Sequence, residues 1–202
     1  MTDQPGEHPE PHGDLPDRSP LLYSVDVGVA LSRLHDKDFG PIYFGNKSKY
    51  RFDSPDGAFG VLYAGFDEHC AFIETFGQST GIRVVSQKAL EQRHLSYLTV
   101  NGPLQLVDLV NSGGLARIGA DSRLFSGSHA IAQRWSAALR AHPTKPAGIL
   151  YPARHDTARL ACALFDLPAA AFGVNTVGSL NDAPHRKLLA RILNTYDFGL
   201  IS

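Results

Sequence analysis

Segments that read as strands in this chain come in clusters, not one for one with helices, and that spacing most limits its fold. Phe59 to Ala64 is strand-like, with Phe59, Val61 and Tyr63 on one face and Leu62 on the other. Gly65 then turns the chain, and Asp67 supplies an N-cap for a helix running to about Gln78. Ile82 to Val85 reads as a strand, Gln87 to His94 as a short helix, and Leu95 to Val100 and Leu104 to Val110 as two further strands. Ser128 to about His142 reads as a helix closed by Pro143 and Pro146, followed by a buried strand at Gly148 to Tyr151. Asp156 to Phe165 and Asn181 to about Thr195 read as helices. Strict βα alternation would indicate a doubly wound sheet, whereas this clustering predicts an α+β domain.

Residues 1–20 contain Pro5, Pro9, Pro11, Pro16 and Pro20, several acids and almost nothing apolar, a composition that predicts a disordered tail. Residues 21–202 read as one domain, without an internal repeat or a second break in composition. Lys and Arg total 19 against 20 Asp and Glu, which argues against a chain whose main task is gripping nucleic acid or an anionic membrane. Cys70 and Cys162 are too few for a disulfide scaffold and match no CxxC spacing, so they read as buried thiols of a reducing compartment. The longest apolar stretch, Leu160 to Val174, is interrupted by Asp166 and Pro168 and is too short to span a bilayer. No signal-peptide pattern opens the chain, so the expectation is a cytoplasmic protein.

Four residues stand out chemically. Glu74 lies in an apolar helix among small neighbours (Cys70, Ala71 and Gly77), where a carboxylate is either the solvated stripe of the helix or a functional group with room beside it. Tyr63 ends the strand before that helix and is either an ordinary strand-end ring or an aromatic platform at a pocket mouth. Arg33 interrupts a strand-like stretch and Arg51 lies in Lys49-Tyr-Arg-Phe-Asp53; each suits a structural ion pair or a phosphate. His155-Asp156 lacks the further ligands of a metal phosphohydrolase, and Asp156 reads better as an N-cap. His69, His94, His129 and His142 fit no zinc spacing, and the loops 77–81 and 111–114 read as turns, so no metal is expected.

Taken in order, several segments resemble the RES domain, named for its Arg, Glu and Ser, from about Leu31 to Phe165. They are Leu31-Ser-Arg33-Leu, Tyr50-Arg51-Phe-Asp53, Gly60-Val-Leu-Tyr63-Ala and Ala71-Phe-Ile-Glu74, then Leu115-Ala-Arg-Ile-Gly119, Arg134-Trp135 and Gly148-Ile-Leu-Tyr-Pro-Ala-Arg-His-Asp156. The resemblance implies an ADP-ribosyltransferase-like fold, a mixed sheet core with flanking helices. It implies an enzyme that consumes NAD+ as substrate, by hydrolysis, phosphorolysis or ADP-ribosylation, often as the toxin of a toxin–antitoxin pair. The implied partners are an Xre-like antitoxin and a second copy of the chain. By the same resemblance Glu74, Arg33 and Tyr63 are the expected catalytic residues, and Arg33, Arg51, Tyr63 and Glu74 the expected NAD+ contacts. Where related sequences carry the name-giving serine this chain has Ala153, which leaves a second reading: a weakened member that binds NAD+ or a protein without turnover.

Overall fold

Period-two alternation on the central strands sets the layers of this fold. The computed structural model describes residues 9–79 and 81–202. Along them run β1 (Leu22–Val25), β2 (Ala30–Asp36), β3 (Val61–Gly65), α1 (Glu68–Phe76), β4 (Val84–Ser86), α2 (Gln87–Glu91), β5 (Arg93–Val100) and β6 (Leu104–Asp108). There follow α3 (Gly114–Ile118), α4 (Arg123–Ser126), α5 (His129–Arg140), β7 (Gly148–Ala153), β8 (Asp156–Phe165), β9 (Phe172–Gly178), α6 (Arg186–Tyr196) and β10 (Gly199–Ile201). Eight strands form one sheet in the order β1-β6-β7-β8-β3-β2-β5-β9, antiparallel except for the β6–β7 pair. β4 and β10 make a separate parallel ribbon. The architecture is α+β with a mixed sheet and flanking helices, as the strand clustering predicts.

Odd-numbered residues of β3, β7 and β8 (Val61, Ile149, Tyr151, Ala161, Ala163, Phe165) face one core, which α5 closes with Ile131, Trp135 and Leu139. Their even-numbered neighbours Leu62, Ala64, Leu150, Cys162 and Leu164 face a second core with Leu31 and Leu98. A third cluster joins α1 and α6 to the sheet through Leu34, Phe72, Leu95, Leu189 and Ile192. Gly65 is required where β3 hands over to α1, because a Cβ there would lie 2.7 Å from the Cys70 Cβ and 2.9 Å from the Ala71 nitrogen.

Two expectations are corrected. Residues 156–165, rich in Ala and Leu and read as a helix, form β8, with Val61–Gly65 paired along one edge and Gly148–Ala153 along the other. Backbone partners on both edges, and small side chains that let two cores close on it, outweigh the intrinsic helix preference of alanine. Residues 9–20, assigned by composition to a disordered tail, lie against α5, while residues 1–8 of that tail lie outside the described residues. Leu15 is 2% exposed within the α5 core, the Trp135 indole N–H donates to the Pro9 carbonyl at 2.8 Å, and Arg134 Nε donates to Glu10 Oε2 at 2.6 Å. One leucine and a few backbone carbonyls therefore order a segment that is otherwise polar. Among the described residues no helix is long and apolar enough to cross a membrane.

Candidate active site

A split in the sheet opens the site. β2 and β3 are neighbours, yet Ser32 and Gly65 are their single registered pair. Beyond it β3 turns to a different partner: Val61 exchanges both backbone hydrogen bonds with Gly45, at 2.8 and 3.0 Å. A cavity of about 530 Å³ occupies the divergence, walled by β2, the end of β3, α1, the stretch 49–51 and the β7–β8 hairpin. All four residues singled out from the sequence, Arg33, Arg51, Tyr63 and Glu74, line it.

Glu74 reaches the cavity because of helical spacing. Asp67 Oδ1 caps α1 by accepting from the Cys70 amide at 2.8 Å, which fixes the phase of the helix. Ala71, Glu74, Thr75 and Gln78 then share the cavity face, while Cys70, Phe72 and Ile73 are buried in the cores. Of the small neighbours expected beside Glu74, Ala71 is the one that leaves room; Cys70 turns inward. The half-buried carboxylate accepts from the Arg154 amide at 3.0 Å on Oε1, and the Tyr151 hydroxyl lies 3.4 Å from Oε2. Burial and the Glu74 charge hold the Tyr151 phenol well above its ordinary range, so it stays protonated and donates.

The stretch 48–54 is held by α5 and by one buried carboxylate. Gln133 Nε2 donates to the Ser48 and Tyr50 carbonyls at 3.0 and 2.9 Å, and Ser136 Oγ to the Phe52 carbonyl at 2.6 Å. Asp53, 2% exposed, accepts from the Lys49 and Tyr50 amides on Oδ2 and from the Tyr63 hydroxyl on Oδ1, all within 2.9 Å. Tyr63 Oη also accepts from the Phe52 amide at 2.9 Å. Its hydroxyl is thus committed to the scaffold, and its ring is what it offers the cavity, edge-on to Tyr50 with centroids 5.7 Å apart. Arg51 Nη1 donates to the Gly127 carbonyl at 2.7 Å, and burial together with the Arg154 charge lowers its guanidinium below the usual range.

The lining charge is mostly positive: Arg33, Lys49, Arg51, Arg93 and Arg154 against Asp36 and Glu74. Among the described residues none of these five cations makes an ion pair. Arg33 Nη1 donates to the Tyr63 carbonyl across the split at 2.6 Å, while its buried Nε has no acceptor among the described residues. Desolvation pulls this guanidinium down to about 10, so it stays charged at neutral pH with its demand for an anion unmet. His155 Nε2, in the β7–β8 turn, is likewise buried without a partner among the described residues. Unsatisfied buried polar groups cost about 1–3 kcal/mol each, and both of these belong to residues of the cavity wall. The arrangement suits a polyanionic ligand with a site of developing positive charge near Glu74.

Other expectations resolve locally. Ala153 is fully buried, in the same core as Tyr151 and Ala161 and between Pro152 and Arg154 of the cavity wall. Asp156 caps no helix; it accepts from the Tyr196 hydroxyl at 2.9 Å and from Arg159 Nε at 3.4 Å. Cys70 and Cys162 are free and buried, and burial raises both thiols, Cys162 to about 12, so neither is a nucleophile. No group of three or more His, Cys, Asp or Glu that could hold a metal occurs among the described residues. Residues missed as individual site candidates include Tyr50, Tyr151, Arg154 and His155, all standing inside the quoted segments, and Arg93, which no sequence signal marked.

Comparison with known proteins agrees with this geometry. A model of the RES domain matches residues 30–188. The chain is 33% identical over 113 residues, 55% of its length, to a probable toxin (y4kH) of Sinorhizobium fredii, of which the match covers 86%. Its fold is similar to a chain of the M. tuberculosis MbcT-MbcA toxin-antitoxin complex, with a TM-score of 0.58 and 15% identity over 83% of this chain and 92% of that one. With a model match over most of its length, and with the arginines and glutamate of the matched segments in one cavity, the chain belongs to the RES domain family.

Proposed function

We propose that this protein consumes NAD+ by breaking the nicotinamide–ribose bond and passing the ADP-ribosyl group to water, phosphate or a protein side chain. We further infer that it serves as the toxin of a pair and is restrained by a protein antitoxin. The observation that carries the first reading is Glu74, held by the Arg154 amide at 3.0 Å in the wall of a cavity otherwise rich in cations. Nicotinamide leaves as a neutral pyridine with the electron pair of the C1′–N bond, so no general acid is needed. Positive charge then gathers on the ribose, as in glycoside cleavage, and a fixed carboxylate beside it lowers the barrier. A water or hydroxyl acceptor bonds to C1′ and gives its proton to Glu74. Arg33 and Arg51 neutralise the pyrophosphate, and the Tyr63 ring packs against nicotinamide or ribose. The toxin reading is supported by membership of the family, by a relative named as a probable toxin and by the likeness to a chain from a toxin-antitoxin complex.

A second reading, binding of NAD+ or a protein without turnover, rests on Ala153, which is buried between the cavity-wall residues Pro152 and Arg154. The test is incubation of the purified protein with NAD+, with and without phosphate, and chromatographic separation of the products. Nicotinamide release is expected, and Glu74→Ala should lower it by at least about 10²–10³-fold with an unchanged circular dichroism spectrum. Equal turnover by a folded Glu74→Ala protein would refute the assigned role.

A further inference from the structure

The large sheet ends differently at its two edges. β1 is four residues long and stands between Pro20 and Asp26, a proline and a charge of the kind that keep a further strand from adding. β9, at the other edge, runs for seven residues, Phe172–Gly178, without a proline or a charge. Val174, Asn175 and Thr176 are exposed, Val174 to 47%, so both faces of this edge are open. Hydrogen bonds made by β5 fix which backbone groups of β9 point outward. Val100 donates its N–H to the Val29 carbonyl and accepts from the Gly28 amide, both at 2.9 Å, so its backbone faces β2. Alternation then turns Thr99 and Tyr97 toward β9, where they pair with Gly173 and Asn175. The backbone groups of Phe172, Val174 and Thr176 therefore point away from the sheet. The Phe172 N–H is already spent on the Ala169 carbonyl, and beyond Thr176 the Val177 carbonyl accepts from His185 Nε2 at 2.9 Å. Among the described residues the open groups are the Phe172 carbonyl and the N–H and carbonyl of Val174 and Thr176.

The partial charges along this edge are self-complementary. Turned about a two-fold axis through Val174, the strand meets its own partner groups: Val174 N–H donates to the Val174 carbonyl of a second copy and accepts in return, and each Thr176 N–H reaches the Phe172 carbonyl opposite. The spent Phe172 N–H removes only the outermost bond, and the Thr176 carbonyl it would have met stays in water at the end of the seam. The two exposed valines come side by side on one face, and the absence of charge from the strand means that no like charges oppose each other. We propose that β9 is an interface between two copies of this chain, which join edge to edge and antiparallel into one continuous sheet. No residue of β9 lines the cavity, so the interface stands apart from the NAD+ reading.

Sedimentation velocity on the purified full chain over about 1–100 μM tests the assignment, and a concentration-dependent dimer is expected. Val174→Pro removes an N–H that has no partner within the protomer, so the fold should persist by circular dichroism while the dimer Kd rises at least about tenfold. Val174→Lys sets like charges against each other at the two-fold axis and should do the same without touching the backbone. Cross-linking locates the seam. Oxidation of Val174→Cys with diamide is expected to give a disulfide-linked dimer, because Cα atoms directly opposite in such a pair lie about 5.5 Å apart. Cys70 and Cys162 are buried and do not compete. Val27→Cys, at an exposed apolar position outside β9, should give none. A monomer at every concentration, a dimer indifferent to both Val174→Pro and Val174→Lys, or equal cross-linking through Val27→Cys would overturn the interface.

Discussion

Asp53 and His35 do at the residue scale what a cavity wall needs done: each is buried, each holds several backbone groups, and each fixes a stretch that bears cavity residues. Asp53 gathers two amides and the Tyr63 hydroxyl, so Arg51 projects from a rigid turn. His35 is neutral in the fold, since burial lowers its imidazole below the ordinary 6.5 more than the Asp36 and Phe39 carbonyls raise it. As pH falls, the unfolded chain takes up this proton before the folded one, so the stabilisation is complete above 6.5 and declines as pH drops below it. His69 and His129 shift in the same direction, again with burial as the main cause. The thermal midpoint should therefore fall on acidification from about pH 7.5 to pH 5, with a shallower slope in His35→Asn, as scanning calorimetry can check. An identical slope would remove His35 from this account. Ala153 makes the complementary point. It departs from the family serine, yet its methyl lies in an apolar core. Ala153→Ser should accordingly destabilise the protein by about 1 kcal/mol in urea titrations and change kcat by less than about twofold.

At the scale of elements, local chemistry and distant partners decide different things. α1 was legible from residues 65–78 alone, because its glycine turn, its Asp67 cap and the helical spacing that sets Glu74 beside Ala71 are all local. β8 was not, because the preference of its alanines for helix is reversed by hydrogen bonds to β3 and β7, which lie elsewhere in the chain. The N-terminal segment shows the same contrast. Nothing in residues 9–20 themselves signals order, and the grooves that receive Leu15 and the Pro9 carbonyl are made by α5, more than a hundred residues later. Leu15→Ala should cost about 2–4 kcal/mol in denaturant unfolding, a loss a tail free in solution would not show.

For the molecule as a whole, a formal charge of −1 conceals a strong internal asymmetry. Five cations and two carboxylates line one cavity, so the field at its mouth attracts anions although the chain is nearly neutral. Raising salt from about 50 to 500 mM should increase the KM for NAD+ about fivefold or more, with kcat nearly constant, because screening weakens attraction and leaves the chemistry at Glu74 alone. A KM indifferent to salt would mean that these cations do not hold the substrate. The residues concerned sit on β2, on the 49–51 stretch, on α1, at the start of β5 and at the β7–β8 turn, far apart in the chain. By itself the sequence determined the fold class, the family and the α1 unit with its glutamate, since these depend on composition, ordered segments and interactions a few residues long. Only the tertiary structure decided that the sheet splits after Ser32, that Arg33 and Glu74 line one cavity, that the Tyr63 hydroxyl is spent on Asp53 and that Ala153 is buried. Those outcomes depend on strand register and on which side of a shared layer a residue falls, and no short stretch of chain carries that information.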